Sequence, residues 1–105
     1  MDAEALFDQI AADLVPRGAS LGAMFGARSL MYEGKAVATV KGGRIAAKLG
    51  AGSTAHTQAL AVGTLFDPSG KGRPFKDWVA FEGEQEPDLV AGFVQAALDR
   101  AQGGA

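Results

Sequence analysis

The order of apolar and glycine-rich segments in this chain predicts an α+β fold: two layers, an antiparallel sheet with helices on one face, in the order α-β(3-4)-α-β-β-α. Three observations predict it. Apolar residues recur at helical spacing near both ends of the 105-residue sequence. The stretch between residues 21 and 49 is cut into short β-prone segments by glycines. These segments follow one another without an intervening helical pattern, and runs of adjacent strands favour antiparallel pairing with helices packed on one side.

The first helix is marked by Leu6, Phe7, Ile10, Ala11 and Leu14, which line one side of a 3.6-residue period. Asp2 is its expected N-cap, because a short acidic side chain can accept from the free N–H groups of the first turn. Pro16 and Gly18 stop the helix, and the proline is expected to push Val15 toward extended geometry.

The sheet begins with strands at 21–25 and 28–32 on either side of Gly26. Glu33-Gly34 and Gly42-Gly43 then supply two-residue turns, since glycine tolerates the positive φ that a tight hairpin needs. In the strand that follows, Ile45, Ala47 and Leu49 alternate with Arg44, Ala46 and Lys48. That period of two predicts one dry face and one wet, basic face.

Ser53 is an expected cap for a short helix running to about residue 61, half exposing His56. Strands are expected at 64–66 and 75–81, joined by a loop at 69–74 whose composition (SGKGRP) is that of a flexible turn. Pro87 suits the first position of the last helix, whose apolar side is Leu89, Val90, Phe93, Val94, Ala97 and Leu98, ended by Gly103 and Gly104. No repeat and no linker divides the chain, so residues 1–105 are read as one domain.

Composition narrows the function classes. With 48% hydrophobic and 21% charged residues the chain has the means to bury one core. It has no cysteine, which removes disulfides, thiolate metal sites and a cysteine nucleophile. Acids stand near the N-terminus where a secretory signal would carry bases, and no apolar run approaches the ~20 residues of a membrane span, so a cytoplasmic location is expected. The net charge of −2 is unevenly spread: residues 1–16 carry −4, residues 17–79 carry +6, and residues 80–105 carry −4. The basic side chains Arg28, Lys35, Arg44, Lys48, Lys71 and Arg73 are the candidate partner-binding face.

No motif amounts to a catalytic constellation. Gly50-Ala51-Gly52-Ser53-Thr54-Ala55 matches G-x-G-x-x-A, but that fingerprint belongs to a βαβ unit of a parallel sheet, and hairpins precede it here. Gly70-Lys71-Gly72-Arg73 resembles a phosphate cradle without the lysine-serine/threonine ending or the following helix of a P-loop. His56, the single histidine, has no nucleophile beside it in sequence. Glu82, Glu84, Glu86 and Asp88 lack calcium-loop spacing and read as acids complementing the dipole of the last helix. Trp78, Phe75, Phe81, Met24, Met31 and Tyr32 read as core. No cofactor or metal is expected.

Met24-Phe25-Gly26, then Tyr32 and Gly34, two further strands of which the second ends at Lys48, and a phenylalanine-and-tryptophan strand before a C-terminal helix form an ordered series. In that series the chain resembles the TfoX N-terminal domain, standing alone, over about residues 7–101. The resemblance implies a two-layer α+β fold and a non-enzymatic role in regulation, as in the regulators of natural competence that act with a transcription activator. It implies no particular binding residue. Together with the charge distribution it leads to the expectation of a domain that meets an acidic protein. Nucleic-acid contact is expected to be weak, because a pI near 5.2 is unlike that of a tight DNA-binding domain. A small enzyme is the alternative from another class, and pairing of two copies is compatible with either.

Overall fold

A computed structural model of the chain describes residues 2–24 and 26–103. Phe25, the centre of the Met-Phe-Gly element, and Gly104, one of the glycines placed after the last helix, lie outside the described residues. Helix α1 (Ala3–Leu14) is followed by a 3₁₀ turn (Val15–Arg17), strands β1 (Ser20–Met24), β2 (Ala27–Tyr32), β3 (Lys35–Lys41) and β4 (Arg44–Lys48), helix α2 (Thr54–Leu60), strands β5 (Thr64–Phe66) and β6 (Phe75–Glu82), and helix α3 (Pro87–Ala101). The expected order is present, with four strands before α2.

All strands join one antiparallel sheet in the order β1-β2-β3-β4-β6-β5. Because β6 lies between β4 and β5, the connection from β4 through α2 to β5 is the only one among the described strands that does not join neighbours in the sheet. Gly42 and Gly43 form the β3–β4 turn with φ of 61° and 77°, a conformation that glycine adopts at no steric cost. The β2–β3 turn uses Glu33 (φ 50°) and Gly34 (φ 79°) in the same way.

The helices lie together on one face. Leu6, Phe7, Ile10 and Leu14 from α1, Ala59 from α2, and Val90, Val94, Ala97 and Leu98 from α3 form one cluster with Leu30, Val40, Ile45, Ala47, Val79 and Phe81 from the strands and with Leu49 just after β4. Phe81 stacks on Phe93 with ring centroids 5.2 Å apart, which ties α3 to β6.

The caps form as the sequence predicts. Asp2 Oδ1 accepts from the Ala5 N–H at 2.8 Å, and Ser53 Oγ accepts from the His56 N–H at 3.1 Å. Pro87 occupies the start of α3. Val15 departs from expectation: at φ −59°, ψ −44° it is helical rather than extended. The chain tightens there into a 3₁₀ turn, in which a proline near the start is tolerated, and Gly18 (φ 112°) closes it by donating to the Val15 carbonyl.

Candidate functional site

Helices cover one face of the sheet, so the site question concerns the other. Cross-strand pairing places Gly22, Ser29, Thr39, Ala46, Ala80 and Thr64 in one row across all six strands of that face. Alternation alone predicts this row to be wet. It is dry where it crosses the middle strands: Ser29, Thr39 and Ala46 have no exposed surface and Ala80 has 3%. Ala36, Ala46, Phe66, Trp78 and Ala80 pack into a second, smaller core, with Met24 and Met31 against it.

The physical reason is a size match. Small side chains in the row leave a trough, and large side chains on either flank lean into it, Phe66 and Trp78 lying 5.9 Å apart by ring centroid. Gly22 belongs to the same device, because a Cβ there would come 2.6 Å from Met31 Cγ. The two hydroxyls in the trough are satisfied: Ser29 Oγ lies 3.0 Å from Thr39 Oγ1, which lies 2.9 Å from the Arg28 carbonyl oxygen. The expected basic face is therefore a closed apolar centre with cations at its ends.

The six predicted basic residues do not form one patch. Arg28 is on the helix side, as its alternation with buried Ser29 requires; its guanidinium donates to Asp8 and Glu4 of α1, both at 2.6 Å, and lies 5.2 Å from the Phe7 ring centroid. The hydrogen bond to Asp8, then that to Glu4, raises its pKa further. Arg28 thus joins α1 to the sheet and is removed from the candidate face. Arg44 stands at the hairpin end of β4 and is paired across the strand with Glu82 at 2.9 Å. Lys48 stands at the other end of β4, with Lys35 at the corresponding end of β3.

Lys71 and Arg73 lie exposed in the β5–β6 loop, and that loop is organised by its own hydrogen bonds. It wraps around the carboxylate of Asp67. Oδ1 accepts from the Ser69 N–H (3.2 Å), Ser69 Oγ (2.9 Å) and the Gly70 N–H (3.0 Å), and Oδ2 from the Gly72 (2.8 Å) and Arg73 (3.1 Å) N–H groups. The backbone donors that would cradle a phosphate already hold an internal anion.

Partial desolvation pushes the Asp67 pKa up, but the Ser69 hydroxyl and the Gly72, Arg73 and Gly70 amides outweigh it, and the net direction is downward from 3.8. A depressed carboxylate contributes stability that is complete above its unfolded value and is lost as pH falls through the lower folded one. The loop is expected to keep its amide protection at neutral pH and to lose it only in acid below about 3.8. Asp67→Asn should raise the rate of tryptic cleavage after Lys71 severalfold at neutral pH, the Arg73-Pro74 bond being resistant to trypsin, and equal rates in the two proteins would refute the carboxylate's role.

His56 is buried at 6% exposure, where half exposure was expected. Its Nε2 lies 2.7 Å from the Lys76 carbonyl oxygen, which assigns the ring proton to Nε2 as donor and ties α2 to β6. Ser53 Oγ in turn donates to the Leu49 carbonyl at 2.7 Å. The glycine-rich segment is held by Asp77, whose carbonyl accepts from the Leu49 and Gly50 N–H groups and whose carboxylate accepts from Ala51 at 2.8 Å. These residues are a turn and a cap leading into a seven-residue helix beside an antiparallel sheet. Among the described residues, no three His, Cys, Asp or Glu side chains converge to hold a metal ion, and no helix is long and apolar enough to cross a membrane.

Arg100 is the cation that sequence reasoning missed. It sits in the last turn of α3, with Lys35, Lys48 and Tyr32 around one notch of about 270 Å3. A Cβ on Gly50 would lie 2.6 Å from Arg100 Cζ, so the bare glycine lets the guanidinium lie against the backbone. Nothing near Arg100 in sequence signals this, since Gly50 and Lys35 reach it only through the packing of α3 on β3 and β4. A scan against protein-family models and searches of curated proteins and of solved structures gave no match to the chain.

Proposed function

We propose that this chain is a non-enzymatic regulatory or protein-interaction domain, as its resemblance to the TfoX N-terminal domain implies, and that the face of the sheet opposite the helices receives an acidic protein. The observation that carries this reading is the distribution of material around the sheet. Three helices occupy one face, while the other has a filled apolar centre edged by Lys35, Lys41, Arg44 and Lys48, with Lys71 and Arg73 in the adjoining loop. Charges placed at the rim of an apolar patch steer and orient a partner more than they add affinity.

The same arrangement supports only weak nucleic-acid binding. Arg28 is spent on α1, Arg44 is paired with Glu82, and the acids of α1 and of residues 82–88 oppose approach of a phosphate backbone. Duplex DNA is expected to bind with a Kd no tighter than about 1 µM at physiological salt, in the non-specific range.

Charge reversal of Arg44 and Lys71 together tests the protein-partner reading. Both are exposed, so the variant should fold, and proteins captured by the wild-type domain from its own cells should be lost or reduced. An unchanged set of captured proteins would reduce the cations to a solubility device. Fluorescence anisotropy with unrelated duplexes decides the alternative, because nanomolar, sequence-dependent binding would replace the protein partner with DNA.

A further inference from the structure

Two depressions on this molecule adjoin, and they differ in character. The notch at the end of the sheet is walled by Lys35, Lys48, Arg100 and Tyr32. A shallower groove of about 430 Å3 beside it runs along the open face past Met24, Met31 and Trp78. Lys35, Ala36 and Lys48 line both, so a ligand lying over Ala36 would touch the two at once.

The charge in the notch is unbalanced. Among the described residues, Lys35, Lys48 and Arg100 make no ion pair there. Glu33 is the one acid on the lining, and its hydrogen bond with Tyr32, then its charge, raise the phenol's pKa, which keeps the tyrosine hydroxyl protonated as a donor. The C-terminus of α3 adds roughly half a negative charge, leaving an excess of about 1.5 positive charges. That excess, from two ammonium groups and a planar guanidinium, matches a dianion better than a single carboxylate, and the guanidinium can hold two oxygens of one phosphate in parallel.

We propose that this notch binds a phosphate monoester carrying a planar apolar substituent. The phosphate sits among Lys35, Lys48 and Arg100, and the substituent lies across Ala36 toward Met31 and Trp78. Gly50 is part of the site by omission, because any side chain there would displace the guanidinium. The proposal does not rest on the acidic-partner reading, whose test uses Arg44 and Lys71 at the other end of the strands.

The test is a titration of the isotope-labelled domain, followed by amide NMR, with phenyl phosphate, inorganic phosphate and phenol as separate probes. Phenyl phosphate should shift the amides of residues 35–37, 48–50 and 100 saturably below about 10 mM, and bind about tenfold or more tightly than inorganic phosphate. Phenol alone should leave the same amides unshifted. Arg100→Gln and Lys48→Gln should each weaken phenyl phosphate binding about tenfold, Arg100→Lys less, and Arg44→Gln not at all. Absence of saturation, shifts spread over all basic residues, or equal losses in the Arg44 and Arg100 variants would overturn the site.

Discussion

Ala46→Lys should destabilise the domain by about 3–5 kcal/mol, although Arg44 and Lys48, two residues away on the same strand face, are both basic. Alternation by itself predicts that a third cation between them would be harmless. The packing says otherwise. Ala46 has no exposed surface and sits in the row of small side chains beneath Phe66 and Trp78. A lysine there must displace those rings, which overpacks the trough, or bury an ammonium group with no carboxylate to meet it. Thermal unfolding should move down by about 12 °C or more, given the usual 4–8 °C per kcal/mol for a domain near this size. Ala46→Ser adds one hydroxyl at nearly constant volume and should cost only about 1–2 kcal/mol. If Ala46→Lys melts with the wild type, the second core does not exist and the face is solvated throughout.

Phe81→Ala should cost a similar amount, about 3–5 kcal/mol, by a different route. Phe81 is fully buried between the sheet and α3, and its ring stacks on Phe93 at 5.2 Å with planes 11° apart. Truncation removes apolar burial and leaves a cavity that the two layers can only partly close. A chain of this length has about 5–15 kcal/mol of total stability, so the loss would take much of it. Urea unfolding of Phe81→Ala, Phe93→Ala and the double variant should show a coupling of about 0.5–1.5 kcal/mol, the range for an aromatic pair in contact. A loss below about 1 kcal/mol for Phe81→Ala would mean that α3 is held by its other contacts and that the stack is incidental.

Local signals were enough for most of the architecture. Asp2 and Ser53 cap because a short polar side chain can reach only the nearest free amides. Gly42-Gly43 turns because positive φ is a property of the residue itself. The helix-facing side of the sheet followed from the period of two in residues 45–49, and the amphipathic spacing of α1 and α3 identified the layer that covers it. Each of these depends on residues within a few positions of one another.

What tertiary structure decided concerns side chains that meet across long separations. Arg28 alternates as a strand residue should, but only the docking of α1 reveals that Glu4 and Asp8 claim its charge. The loop at 67–73 is a local exception: its donors stand two to six residues from Asp67, but a composition rich in glycine does not show that they all turn onto one carboxylate. Arg100 reaches Lys35 and Lys48 because α3 crosses the strands that carry them. The open face has the same origin: period two assigns Ala46 to it, but whether that face is wet depends on the sizes of neighbours on β5 and β6, and Phe66 and Trp78 are large enough to close over a row of small side chains.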